Sequence, residues 1–220
     1  MSGTTESSAE EVKVYTSPTC GWAVRVYAVL IEKQAPFRLI DVKAGDDDAL
    51  VAWRADSPYA RTPAIRHRQT PVWESWAIAA YLDRVFPEPR LGAADAEEQA
   101  LADLWMWHCD REVFPLVIAL ARATPDDRAA RRSTLEAALL QLEHPAFAAD
   151  RIAPFWNGRR LGLVDIGYQV LFDTLGRAPD WSGDAIAVPA WFQTWAEAVG
   201  AHPSIAAART LAFDLKQAAA

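Results

Sequence analysis

Every strand-like run in this chain lies before residue 86, and everything after residue 95 reads as helix. That asymmetry excludes an all-β or evenly mixed fold and predicts two domains of different class. The strand runs are Val12–Thr16 (VKVYT), Pro36–Val42 (PFRLIDV), then Thr62–Ile65 and Pro71–Trp73 around a polar turn at Arg66–Thr70. They are rich in β-branched and aromatic residues. Between the first two, Cys20–Lys33 places Ala23, Val26, Tyr27, Leu30 and Ile31 at helical spacing. A short helix is expected near Ala49–Ala55. A longer one runs from Glu74 to Val85 and stops at Phe86-Pro87-Glu88-Pro89. The order is β-α-β-α-β-β-α, opening with a parallel pair.

The second half predicts one long helix over Asp95–Arg122, kinked or split by Pro115, and another from Thr124-Pro125 to Glu143. Phe155–Gly158 reads as a loop, and Val164–Leu175, Pro189–Val199 and Ser204–Leu215 as further helices. Residues 1–11 are expected to be a flexible tail, 12–86 the α/β domain and 95–217 the all-helical domain. The acidic run Gly45–Asp48 reads as a solvated loop.

A net charge of −7 argues against a polyanion partner, so no nucleic acid is expected. Two cysteines, Cys20 and Cys109, with no C-x-x-C spacing, give neither a disulfide framework nor a metal site. They fit a reducing compartment. The polar, acidic start lacks an apolar signal region, and runs such as Val113–Leu120 are too short to span a bilayer. A cytoplasmic protein without membrane contact is the expectation.

Cys20 sits at a strand-to-helix junction, where free N–H groups and the positive helix end favour a thiolate. The residue three positions on is Ala23, so no internal resolving thiol stands in the usual place. A free cysteine is also among the most often buried residue types, which leaves an inert core role open. Glu74-Ser75 opens a helix and offers a carboxylate together with a hydroxyl and backbone N–H groups, or simply caps that helix. Thr62-Pro63 opens a strand.

The segments SPTCGWAVRV (17–26), SPYARTPAI (57–65), WESWAIAAYLD (73–83) and LVDIGYQVL (163–171) together resemble the cytosolic glutathione transferase superfamily. The likeness is to omega-like, cysteine-type members, with some zeta-like features. It implies a thioredoxin-like, glutathione-binding N-terminal domain, an all-α C-terminal domain and a homodimer. Cys20 then matches the catalytic position and Pro63 the cis-proline. Thr62 matches the residue pairing with glutathione's backbone, and Glu74 and Ser75 those holding its γ-glutamyl end. Trp22 matches an aromatic position that either flanks the thiol or packs on the core. Trp105, His108 and Arg111 are candidates to line a pocket for a hydrophobic or aromatic electrophile, with core packing the alternative for His108. Cys109 is expected to be buried and inert, and Trp73, Trp76, Trp191 and Trp195 to serve core and interface.

Asp165 matches the family's buried helix-start aspartate. Gly162 stands where the family has Ser or Thr, so Asp165 is expected to act through backbone donors alone. Asp56 occupies a site where a basic residue is common, which leaves Arg54 or Arg61 for the glycyl carboxylate. Thr19, beside Cys20, carries the zeta-like reading, a hydroxyl able to bond a glutathione thiolate. The resemblance implies glutathione-dependent thiol transfer through a mixed disulfide at Cys20. Glutathione conjugation or isomerisation is the first alternative, and a non-catalytic regulator of the same fold the second.

Overall fold

The computed structural model describes residues 10–43 and 47–219. Most of the expected N-terminal tail, and Asp46 of the acidic run, lie outside them. Four strands, β1 (Val12–Thr16), β2 (Phe37–Asp41), β3 (Ala64–His67) and β4 (Thr70–Trp73), form one sheet in the order β2-β1-β3-β4. β1 and β2 run parallel, with Val14 opposite Leu39, while β1–β3 and β3–β4 are antiparallel. A parallel pair needs a crossover, and α1 (Ala23–Glu32) supplies it.

α1 is buried from Ala23 through Leu30, on every side. A helix of composition AVRVYAVLIE has almost no polar face to offer water. Beyond the sheet it is covered by α3 (Ser75–Val85) and by a helix from the far end of the chain, described below. At its C-terminal end Lys33 is buried. Its Nζ bonds Asp83 Oδ1 and the Pro89 carbonyl, both at 2.5 Å. Asp83 Oδ1 also accepts the Leu91 N–H at 2.9 Å, so this pair fixes the chain leaving α3.

The short helix α2 (Asp47–Asp56) starts two residues earlier than expected. Asp47 and Asp48 are not loop residues. They fill its first turn, where carboxylates favour the positive helix end.

In the second half, α4 (Ala96–Trp107) is capped by Asp95, which accepts from the Glu97 and Glu98 N–H groups. It passes into a π-helical turn, His108–Val113, and then into α5 (Phe114–Ala121). The break thus falls in the turn just before Pro115, the turn whose Arg111 carbonyl a proline leaves without its N–H partner. Pro115 lies in the first turn of α5. α6 (Pro125–Leu140) follows, then 3₁₀ turns, α7 (Leu163–Gly176), the short α8 (Ala178–Ser182) and α9 (Ala190–Gly200). Gly167 is where α4 meets α7. A Cβ there would stand 2.3 Å from Met106 Sδ and 2.6 Å from its Cε, so any side chain at 167 makes the end of the flexible Met106 side chain move aside.

The chain divides into two compact units. One holds the residues up to Leu91 together with Pro203–Ala220, the other Gly92–His202. The break near residue 91 falls in the expected linker. The helical unit, expected to reach 217, instead ends at His202. The last helix, α10 (Pro203–Ala218), returns to the first unit and packs along α1, with Ser204 Oγ bonding Glu32. Its spacing announces an apolar face but not which surface that face covers.

Candidate functional site

Cys20 lies in the turn between β1 and α1, not within the helix. Its N–H donates to the Ser17 carbonyl at 2.9 Å, and its own carbonyl accepts the Ala23 N–H at 3.2 Å. The thiol is half-buried and donates to the Thr62 carbonyl at 3.2 Å. Thr62-Pro63 is cis, as the resemblance implied. Beneath the turn, Tyr27 Oη and Thr16 Oγ1 bond at 2.7 Å. Burial pushes the Tyr27 phenol up to about 12, so it stays protonated at neutral pH. Cys109, by contrast, is fully buried. The two cysteines thus divide into one that solvent reaches and one that it does not.

Glu74 and Ser75 form the second wall. Ser75 is the first residue of α3 and is buried, while Glu74 immediately before it is exposed. Glu74 has φ +66° and ψ +119°, a region side chains avoid, which costs roughly 1–3 kcal/mol. Its side chain makes no cap bond to the helix. A plain side-chain N-cap role is thereby removed. Arg61 Nη1 stands 3.9 Å from Glu74 Oε1, across solvent-exposed side chains.

The two walls are joined by a residue the sequence reading missed. Arg25 is 1% exposed. Its Nη1 donates to Ser75 Oγ at 3.2 Å, and its guanidinium lies 4.4 Å over the Trp22 ring. Trp22 is therefore the cover of a buried cation rather than simply a thiol flank or core filler. The signal was present as a lone arginine inside VRV, three residues after Trp22 and so on one helix face.

Of the cations weighed for a carboxylate, Arg54 is exposed on α2 and Arg61 leans toward Glu74. Asp56 is excluded from the site. It is buried and takes both Arg66 Nε, at 2.9 Å, and Arg66 Nη2. A second missed residue is Lys43. Its Nζ donates to Thr19 Oγ1 at 3.3 Å, which brings an ammonium group beside the Cys20 turn. Asp41 Oδ1 holds the Lys43 N–H at 2.8 Å.

The three proposed pocket residues do not share a lining. Trp105 is fully buried, edge-on to Phe147 and Trp195 at 5.4 Å each and to Tyr168 at 5.6 Å. Such ring pairs stabilise a core by about 0.5–1.5 kcal/mol each beyond their area. His108 is buried beside it, with both ring nitrogens engaged, and only Arg111 reaches solvent. These two aromatic positions are core because the helix turns them toward α7 and the loop at Phe147.

Asp165 anchors that core. Oδ2 accepts the Gly162 N–H at 2.7 Å, and Oδ1 accepts the Trp156 N–H at 2.7 Å and Trp195 Nε1 at 2.6 Å. The expectation of backbone donors alone is corrected by the tryptophan. Burial outweighs these donors and pushes the carboxyl up to about 6, which leaves it ionised at neutral pH.

Residues 19–85 match the family described as glutathione S-transferase, N-terminal domain. A probable glutathione S-transferase of rice (Oryza sativa subsp. japonica) is 32% identical over 161 residues, covering 70% of this chain and 66% of that protein. The match thus spans just under two thirds of that relative. Among solved structures, a Tau class glutathione S-transferase from mango (Mangifera indica) matches with a TM-score of 0.80. It is 21% identical over 94% of this chain and 96% of that one. Glutathione transferase Omega 3C from Trametes versicolor matches with a TM-score of 0.75 and 20% identity, over 90% and 88% of the two chains. At such identities the two structures speak for the fold, and a Tau and an omega member fit side by side, so an omega-like subclass is not singled out. With a thioredoxin-like sheet, a helical second unit, and a rice relative and N-terminal domain of one kind, the chain belongs to the glutathione transferase superfamily.

Proposed function

We propose that this protein binds glutathione along Cys20, Thr62, Glu74 and Ser75 and transfers thiols through a mixed disulfide at Cys20. The observation that carries this reading is the half-buried Cys20 Sγ, 3.2 Å from the Thr62 carbonyl, in a turn linked through Trp22 and Arg25 to Ser75. The Thr62 N–H and C=O can pair with the cysteinyl backbone of the tripeptide. Glu74 accepts from its ammonium, while the Ser75 hydroxyl and the start of α3 receive its α-carboxylate. Lys43, beside Thr19, and Arg61, beside Glu74, are the candidates for the glycyl carboxylate.

In the reaction, the Cys20 thiolate attacks the glutathione sulfur of a glutathionylated thiol. An S–S bond forms to Cys20, the old S–S bond breaks, and the leaving thiolate takes up a proton. A second glutathione thiolate then attacks the Cys20-bound glutathione sulfur, which releases oxidised glutathione and restores the Cys20 thiolate. Intact-mass analysis after treatment with oxidised glutathione tests this. One glutathione adduct, mapped to Cys20, is expected. No adduct, or one on Cys109, overturns it.

A second reading is favoured by Thr19, whose hydroxyl lies beside Cys20 within reach of Lys43. There glutathione itself is the nucleophile, its thiolate bonded by the Thr19 hydroxyl, and conjugation is the reaction. The rice and mango proteins, named as glutathione S-transferases, support this reading as much as the first. A homodimer is proposed from the resemblance alone.

Either reading places Glu74 on the ligand and gives its backbone conformation a purpose. Glu74→Gly removes the carboxylate and relieves the positive φ. Thermal stability should hold or rise by up to about 1 kcal/mol, while glutathione affinity falls roughly tenfold. Calorimetric melting and glutathione titration measure the two. A variant both less stable and equally tight-binding contradicts the assignment.

A further inference from the structure

In the core of the helical unit, one hydrogen has two acceptors competing for it. Tyr168 Oη on α7 lies 3.0 Å from the Trp105 carbonyl and 3.3 Å from His108 Nδ1, placed to donate its hydrogen to either. On its other side, His108 Nε2 lies 3.0 Å from the Ala138 carbonyl of α6. A carbonyl can only accept, so Nε2 must carry a hydrogen. The neutral ring then presents a bare lone pair at Nδ1, and the single Tyr168 hydrogen cannot fully satisfy both Nδ1 and the Trp105 oxygen.

Adding a proton to Nδ1 resolves the conflict. The imidazolium donates from Nε2 to Ala138 and from Nδ1 to Tyr168 Oη, and the hydroxyl hydrogen goes wholly to Trp105. We propose that His108 and Tyr168 form a proton-operated switch in which ring protonation hands the Tyr168 hydrogen to the Trp105 carbonyl. That carbonyl, together with Leu104's, also takes the His108 N–H, where α4 gives way to the π-helical turn. The main chain at this junction therefore senses the charge on the ring.

The surroundings set the direction. From α7 the facing group is Tyr168, from α6 the Ala138 carbonyl, and from the 3₁₀ turn at Pro145–Phe147 the Phe147 ring at 5.1 Å. Among the described residues, Glu112 on the π turn is the charged group whose field favours the imidazolium. Burial outweighs it and holds the His108 pKa below the ordinary histidine value. The unfolded chain thus binds the proton more readily than the folded one. Stability is complete above about pH 6.5 and declines as pH falls toward the lowered value. Tyr168 limits this loss by accepting from the charged ring.

The test is a titration of the His108 ring by nuclear magnetic resonance, in the full chain and in Tyr168→Phe. In the parent protein the neutral ring should carry its hydrogen on Nε2. In Tyr168→Phe the charged ring loses an acceptor, a larger loss than the neutral ring's shared donor, so proton affinity should fall roughly tenfold. An unchanged midpoint overturns the switch. Should the variant fail to fold, the parent alone decides. A neutral ring with its hydrogen on Nδ1 overturns the proposal, and one on Nε2 whose Nδ1 signal shows a hydrogen-bonded acceptor upholds it.

Discussion

Asp165→Ala should destabilise the protein by about 3–6 kcal/mol, read as a fall in the urea midpoint. The carboxylate is fully buried and serves three donors on three separate segments: the loop at Trp156, the start of α7 at Gly162 and the indole of Trp195 on α9. Removing it leaves each donor buried and unpaired, at about 1–3 kcal/mol apiece. No side chain at Gly162 can take over, since glycine offers none. Asp165→Asn should lose less, because one oxygen survives while its amide nitrogen faces a donor. The difference between the two variants separates lost acceptors from lost volume. A loss under about 1 kcal/mol for the alanine variant would show that the three donors find other partners.

Cys20→Ala should remove thiol transfer on the order of a thousandfold or more while glutathione still binds within about threefold. The thiol is the reacting atom in the proposed exchange. Of the residues proposed to hold the tripeptide, Glu74 and Ser75 are set by backbone and by Arg25, and the sulfur bonds only the Thr62 carbonyl. The assay is reduction of a glutathionylated thiol with glutathione in excess, run beside conjugation of an aromatic electrophile. Retention of a tenth or more of the first activity would sink the mixed-disulfide route. Persistence of the second would favour glutathione as the nucleophile.

The first unit was largely readable because its signals are local. Period-two apolar runs, a proline after a strand and a cysteine before an apolar helix each point to one conformation. Thr62, Glu74 and Ser75 were legible only together, through a resemblance spread along the chain. What escaped depends on partners distant in sequence. Pro115 announces a break near His108–Val113, but nothing in HCDREV says that it takes the form of a π turn. Trp105 and His108 looked like pocket wall because spacing along a helix tells which residues share a face, not what that face meets. Arg25 was passed over, because only the fold brings Trp22 and Ser75 around it.

The return of α10 to α1 makes the first unit discontinuous in the gene. On the ribosome, β1 through α3 emerge more than a hundred residues before the helix that shields α1. During that interval a largely apolar segment lacks its cover, which is a window for a chaperone. Splicing the unit out at the linker would recreate that nascent state permanently.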